Sequence, residues 1–278
     1  MSGRAAAIAG LGVLCAVAVG CGGSALQVSG TTTVGATSPP PTATSALPTA
    51  PLAMRIYLAR DGRIAAVGRR VPGTRAVARA AVDQLLAGPT PGEARDGFAS
   101  AIPVGTRLRG IGVSGGVATV DLTGEFSGGS STATTMRVAQ IVYTLTQFPS
   151  VTSVRVRVDG RSYLPTPRAR SDYEAVTPRI LVESPTPGET VRCPLRIAGT
   201  SNDFEATFVA ELWVGSTKVG SWPVTATSGN GARGSFDAAL CQDAKAPAGP
   251  ASARLVVFEP SAATGEPLGR VEIPLRYG

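Results

Sequence analysis

The spacing of apolar residues changes part-way along this 278-residue chain, and the change limits the folds open to it. Between residues 53 and 160, stretches with apolar residues at helical spacing alternate with stretches in which every second residue is apolar. From residue 179 onward only the strand-like alternation is present. The pattern therefore predicts two folded domains of different class.

The first domain, residues 53–160, is predicted to have the element order β-β-α-β-β-α-β. Asp61-Gly62 and Gly115-Gly116 are hairpin signals, because both dipeptides favour the tight turns that join antiparallel strands. One helix is predicted between Thr74 and Gly88, and residues 89–105 are expected to form a loop. The remaining elements are predicted strands at 55–59, 63–67, 107–113, 117–122 and 154–158 and a helix over 131–148. We expect an α+β domain in which two helices cover one sheet.

The rest of the folded chain is predicted to be a linker followed by a β-sandwich. Residues 161–178 contain Pro165, Pro167 and Pro178, which is typical of a connector. Residues 179–278 contain roughly seven short alternating stretches separated by turn residues, as in immunoglobulin-like sandwiches. We therefore predict an all-β immunoglobulin-like domain over 179–278.

The N-terminal residues read as an export signal. Residues 1–20 have a basic start and an apolar run that ends in small residues just before Cys21. The Val-Gly-Cys ending resembles a lipobox, so Cys21 is the predicted lipidation site and two acyl chains would anchor the protein stably. A membrane-spanning helix and an ordinary cleaved signal peptide are the alternatives. Residues 21–52, rich in Ser, Thr, Pro and Gly, are predicted to be a disordered tether.

Cysteine and histidine usage restricts the chemistry. Once Cys15 is removed with the leader, Cys193 and Cys241 remain, and a lone pair in an oxidising compartment favours a disulfide over a metal or redox pair. The sequence contains no histidine, which excludes Ser-His-Asp and Cys-His catalysis and every His-containing zinc site. No nucleotide or dinucleotide motif is present, and we predict neither a cofactor nor a metal.

Charge and exposed aromatic residues indicate the candidate contacts. The net charge is +7, and all but two of the 26 basic residues are arginine. This arginine excess reflects either the base composition of the genome or a basic binding surface on the protein. Because the basic residues do not cluster with aromatics, no nucleic-acid partner is predicted. Trp213 and Trp222 are candidate partner or glycan contacts, with packing beneath a loop as the alternative. Asp121 and the pair Asp203 and Glu205 are interpreted as structural or loop acids.

Two family resemblances cover most of the chain beyond the tether. The span from Ile56 to Asp159 resembles the GerMN domain of sporulation and germination proteins, in the stretches 80–89, 101–103, 117–122 and 140–145. The C-terminal part resembles the immunoglobulin-like domain of bacterial spore germination, in the stretches 182–188, 197–200, 202–206, 234–236 and 257–261. The first resemblance implies a ring-building assembly module without established catalytic residues. The arginine-rich chain with its lipobox looks like an actinobacterial lipoprotein.

Together these observations predict a membrane-anchored extracytoplasmic lipoprotein that is not an enzyme. We expect it to bind or scaffold other components during cell-envelope assembly, with an envelope protein or peptidoglycan as its partner. A cell-wall glycan-binding lipoprotein is the alternative, followed by an enzyme of unrecognised type.

Overall fold

The computed structural model describes residues 50–128, 130–242 and 249–278. The predicted signal peptide, Cys21 and residues 21–49 of the predicted tether lie outside the described residues. Residues 46–278 form one compact unit that contains both folded domains.

The first domain follows the predicted order, with three small elements added. Its elements are β1 (Leu52–Arg60), β2 (Arg63–Val71), α1 (Val77–Leu86), α2 (Pro91–Arg95), β3 (Leu108–Ser114), β4 (Val117–Leu122), a 3-10 turn (Gly124–Ser127), α3 (Ser131–Leu145), β5 (Ser153–Val158) and β6 (Arg161–Ser162). The α+β class predicted for this part of the chain is confirmed.

Local capping explains two differences from the predicted elements. Helix α2 lies in the predicted loop and begins with a capping box, in which Thr90 and Glu93 each accept from the other's backbone N–H. Helix α1 begins at Val77 with Ala76 as its N-cap, and the Thr74 hydroxyl instead accepts from the Ala76 N–H at 3.1 Å.

The first domain has two sheets where one was predicted. Strands β1 and β2 form a separate antiparallel hairpin, and the second sheet has the order β3-β4-β5-β6 with β4 and β5 parallel. The three successive residues Ile56, Tyr57 and Leu58 are all buried, so both faces of the hairpin are covered. Because its two faces are occupied, the hairpin stands between other layers, and an isolated Ala59–Ala99 bridge joins its backbone to the segment before β3.

Helix α3 runs through the centre of the first domain. Every residue from Met136 to Leu145 is buried, including residues on the side that the apolar spacing leaves polar. The buried polar groups bond to main chain: the Gln140 amide donates to the Tyr57 carbonyl at 3.1 Å and accepts from the Ala101 N–H at 2.8 Å. These bonds satisfy the polar side chain in the core and tie α3 to β1.

The second domain is the predicted immunoglobulin-like sandwich. Its strands are β7 (Ile180–Ser184), β8 (Thr190–Val191), β9 (Leu195–Ser201), β10 (Thr207–Val214), β11 (Thr217–Thr225), β12 (Gly234–Leu240), β13 (Ala251–Pro260) and β14 (Pro267–Tyr277). One sheet has the order β11-β10-β13-β14-β8 and the other β12-β9-β7. The alternation of Val191, Cys193, Leu195 and Ile197 is that of one continuous strand, but the stretch is divided between the two sheets at Pro194, which has no N–H to contribute to a ladder.

The predicted linker at 161–178 is an ordered part of the structure. It contains β6 and a 3-10 turn over Arg170–Val176, and Tyr173 is only 6% exposed. Tyr163, Leu164 and Val176 also pack against the core of the first domain. Aromatic and branched side chains in this stretch bury enough apolar surface to hold it against the protein, which the prolines alone did not indicate.

Gly199 tests the packing of the second domain. A Cβ added to Gly199 would lie 2.0 Å from the Leu181 carbonyl oxygen and 2.8 Å from Cζ of Phe236. We expect Gly199→Ala to lower the free energy of unfolding by about 2–3 kcal/mol, because backbone must move to relieve the overlap. Gly112→Ala is the matched control, since a Cβ there meets nothing within 4 Å. Equal losses from the two substitutions in denaturant unfolding would contradict this packing.

Candidate functional site

The two domains meet along an interface that we call the seam. One side is the β1–β2 hairpin with the end of α3, the other is the second domain from β7 onward, and the 3-10 turn over Arg170–Val176 lies between them. Polar side chains from all three parts converge in the seam and are at least partly buried there. We therefore treat the seam as the candidate functional site.

The Arg170 side chain connects the three parts of the seam. Its guanidinium donates to Glu183 at 2.9 Å, to the Tyr57 hydroxyl at 3.2 Å and to the Thr146 hydroxyl at 2.8 Å. The Tyr57 hydroxyl donates to the same Glu183 carboxylate in a short hydrogen bond. The guanidinium carbon also lies 4.6 Å from the centre of the Tyr143 ring. One cation therefore binds a carboxylate of the second domain and two aromatic residues of the first.

The electrostatics keep this cluster in one protonation state. Burial, reinforced by the negative charge of Glu183, raises the pKa of the Tyr57 phenol well above its ordinary value. Burial alone would lower the pKa of Arg170, but Tyr57 and Glu183 beside it outweigh burial and the net direction is upward. The phenol therefore stays neutral and the guanidinium stays charged throughout the physiological pH range.

A second ion pair holds the connector against the sandwich. Arg233 donates to both carboxylate oxygens of Glu174, at 2.8 and 2.9 Å, and to the Pro178 carbonyl at 2.7 Å. Asn202 adds a hydrogen bond to Glu174 at 2.8 Å. The hydrogen bonds from Arg233, opposed by burial and reinforced by Asn202, lower the pKa of the Glu174 carboxyl. A bidentate pair of this kind fixes orientation as well as distance.

Asp203 is a buried acid next to this second ion pair. Its side chain is 1% exposed, and neither carboxylate oxygen has a hydrogen-bond partner among the described residues. Glu259, itself 6% exposed, accepts from Arg179 and from the Phe204 N–H. Burial, together with the charge of Glu259, raises the pKa of Asp203 to about 6. The acid named with Asp203 in the sequence, Glu205, is exposed.

The predicted disulfide is present in the structure. Cys193 and Cys241 are 48 residues apart and bonded, with 5.5 Å between their Cα atoms. The bond joins the segment between β8 and β9 to the end of β12, and Cys241 is 1% exposed. The predicted lipidation site, Cys21, lies outside the described residues and stays a prediction.

The two tryptophans lie on opposite sides of their sheet. Trp213 points outward from β10, as its alternation predicts, with its indole N–H donating to Glu211 at 2.9 Å. The neighbouring strands place Arg254 at 4.6 Å and Lys218 at 5.4 Å from the centre of its ring. Trp222 pairs with the inward-facing Ala210 and packs partly against the sandwich core. The two rings therefore share no single platform, and a partner contact by either one stays a prediction.

The other acids have structural surroundings. Asp121 accepts from the Gly160 N–H at 2.9 Å and lies 3.6 Å from the Arg109 guanidinium. Within residues 50–128, 130–242 and 249–278, no three His, Cys, Asp or Glu side chains come together in a group able to hold a metal ion. Over the same residues, no helix is long and apolar enough to span a membrane.

Sequence reasoning missed the seam itself. Tyr57 and Glu183 are 126 residues apart, so no local pattern links them. A usable signal was present in the predicted linker, where Tyr163, Leu164 and Tyr173 are unusual for a flexible connector.

Comparison with known proteins agrees with this architecture. Residues 55–164 match the family model described as sporulation and spore germination. Residues 179–266 match the model described as the immunoglobulin-like domain of bacterial spore germination. The chain joins a GerMN domain to a spore-germination immunoglobulin-like domain. Germination-related domains of the GerM type are not known as catalytic.

Three solved structures are similar to parts of this chain. The tandem GerMN domains of the sporulation protein GerM from Bacillus subtilis share 15% identity at a TM-score of 0.40, covering 82% of this chain and 61% of that one. The first GerMN domain of the same protein shares 24% identity at a TM-score of 0.37, covering 43% and 95%. A putative lipoprotein from Clostridium perfringens shares 17% identity at a TM-score of 0.33, covering 46% and 93%. No curated protein sequence matches the chain.

Asp203 gives the immunoglobulin-like domain a testable pH dependence. Since its folded pKa is raised above the unfolded value, the folded state binds the extra proton, and this contribution to stability is lost as the pH rises from about 4 through about 6. We expect Asp203→Asn to raise the melting temperature at pH 7 by several degrees and to have little effect near pH 4. Thermal unfolding across this range is the measurement.

The exposed Asp83→Asn is the matched control and should leave the pH profile unchanged. A profile for Asp203→Asn that runs parallel to that of the unmodified protein at every pH would show that this carboxyl does not titrate as proposed.

Proposed function

We propose that this protein is a lipid-anchored extracytoplasmic scaffold that binds other proteins of the cell envelope and catalyses no reaction. The observation that carries the proposal is the seam, in which Arg170 joins both domains. The seam holds the surfaces of the two domains at a fixed separation and orientation. A scaffold protein that positions its partners relative to one another needs such an arrangement.

The chemistry of the described residues favours binding over catalysis. The chain has no histidine, and the disulfide occupies both cysteines that the structure describes. Two ion pairs cross the seam, one between Arg170 and Glu183 and one between Arg233 and Glu174. Charges satisfied in this way stabilise an orientation but are not poised to transfer protons at neutral pH. Both matched families are germination-related, which agrees with a role in envelope assembly.

Exposed apolar side chains offer a place for partners. Four large apolar residues are exposed among the described residues, two in each domain. They are Val104, Val113, Phe204 and Leu268, with Val104 wholly exposed and Phe204 60% exposed. Single exposed apolar residues are common, so their role needs a direct test. The two tryptophans do not form a shared platform, so glycan binding is not advanced as a second function.

Site-specific photocrosslinking tests the scaffold role. A photoreactive residue at Val104 or Phe204 should give a discrete protein adduct in living cells, and one at the exposed Asp83 should not. Arg170→Met, which removes the cation of the seam, should reduce the adduct yield several-fold at both positions while circular dichroism shows the domains still folded. The absence of any protein adduct, with the chain instead retained on purified peptidoglycan, would favour the glycan alternative.

The anchor has its own test. Cys21→Ala should leave the protein unprocessed or release it from membranes, because the thiol that would carry the lipid is gone. The matched control is Cys15→Ala, which alters a cysteine inside the apolar run but leaves the Val-Gly-Cys ending intact. Unchanged lipidation of the Cys21→Ala protein, read by mass spectrometry, would contradict the proposed anchor.

A further inference from the structure

A cavity of about 750 Å³ lies at one end of the seam. Its first wall is the end of the β1–β2 hairpin with Gln147, and its second wall is the loop that follows β7 in the immunoglobulin-like domain. This volume is typical of sites for small ligands. Neither the packing of the two domains nor the proposed scaffold role requires an open cavity at this position.

Two arginines of the hairpin face this cavity from the same side of their strands. Arg55 of β1 pairs with Gly68 of β2, and Ala53 of β1 pairs with Arg70 of β2. Since positions two apart on a strand share a face, Arg55 and Arg70 are diagonal neighbours on that face. Gly68 lies opposite Arg55, and the facing loop comes close to the hairpin there: a Cβ added to Gly68 would lie 2.5 Å from the Thr186 hydroxyl oxygen and 3.8 Å from a carboxylate oxygen of Glu189.

Neither guanidinium has a counter-ion in the described structure. Among the described residues, no carboxylate lies within 4.0 Å of Arg55 or Arg70, and the Arg55 Nε is buried without a hydrogen-bond acceptor. The third arginine that lines the cavity, Arg69, is bound to both carboxylate oxygens of Glu93. Two neighbouring uncompensated cations repel each other, and a buried donor without an acceptor costs free energy.

One of the two acids that line the cavity already has a cationic partner. Glu183 accepts from Tyr57 and Arg170. Glu189 accepts a hydrogen bond from the Thr186 hydroxyl. Unlike Glu183, it forms no ion pair with a cation among the described residues. Two free guanidinium groups against one such carboxylate leave the cavity with a net positive charge.

We propose that this cavity binds a phosphate group that carries two negative charges, as in a phosphomonoester or a pyrophosphate, between Arg55 and Arg70. A guanidinium group can donate two parallel N–H hydrogen bonds to two oxygens of the same anion. A single carboxylate has only two oxygens and can pair in this way with only one arginine. Phosphate supplies enough oxygens and charge for both. The hydroxyls of Ser184 and Thr190 line the facing wall and provide further donors.

The phosphate has two possible sources with the same chemistry, a soluble phosphorylated compound or a lipid headgroup. The cavity has room for a molecule larger than inorganic phosphate, so either source fits. The inference does not depend on the scaffold role, since a structural or regulatory ligand would occupy the same site.

Calorimetric titration of the full-length chain with pyrophosphate at low ionic strength tests the site. We expect saturable binding, weakened about tenfold by Arg55→Gln or Arg70→Gln and about a hundredfold by both, the loss expected for charged hydrogen bonds. Arg155→Gln, which alters an arginine on β5 outside the cavity, is the matched control and should bind normally. Circular dichroism checks that each variant is folded.

Three results would overturn the proposal: no saturable binding, equal weakening by Arg155→Gln, or tighter binding of citrate than of pyrophosphate. Short-chain phosphatidic acid below its micelle concentration separates the two sources. Binding at least tenfold tighter than that of pyrophosphate, and dependent on Arg55 and Arg70, identifies a lipid headgroup. Similar or weaker binding with the same dependence identifies a soluble ligand.

Discussion

The arrangement of the two domains depends on one half-buried cation. Arg170 arises from the segment between the domains and reaches a carboxylate on β7 and the rings of Tyr57 and Tyr143 in the first domain. Removing one of these partners is destabilising, because the remaining charge stays partly buried without compensation. A chain that keeps its connector in place therefore has to keep all of these residues together.

This dependence explains why the proline-rich connector, residues 161–178, is packed against both domains instead of forming a free linker. Tyr173 enters the core of the first domain, while Glu174, the next residue, binds Arg233 of the second. Adjacent residues thus attach to different domains, which leaves no free length over which the domains could swing. The two domains and the connector therefore form one body, as the proposed scaffold role requires.

Local features of the chain were readable from sequence, and long-range contacts were not. The hairpins at Asp61-Gly62 and Gly115-Gly116, the long helix and the alternating strands follow from backbone preferences and apolar spacing, which act between near neighbours. The capping box of α2 was equally local and was overlooked. The seam joins Tyr57 to Arg170 and Glu183, which lie more than a hundred positions away, and the unpaired state of Arg55 depends on which acids lie nearby in space. Apart from the apolar residues of the connector, no short stretch of sequence indicates either fact.

The hairpin that is covered on both faces limits how this protein can be divided or recombined. The Tyr57 hydroxyl of the first domain donates a hydrogen bond to Glu183 of the second. A first domain produced alone would therefore expose to solvent an apolar face and the Tyr57 phenol, which is buried in the whole protein. Exchanging the sandwich for another module would require the outer face of the hairpin to change at the same time. The two modules are therefore expected to be inherited as a pair, with matching substitutions on either side of the boundary.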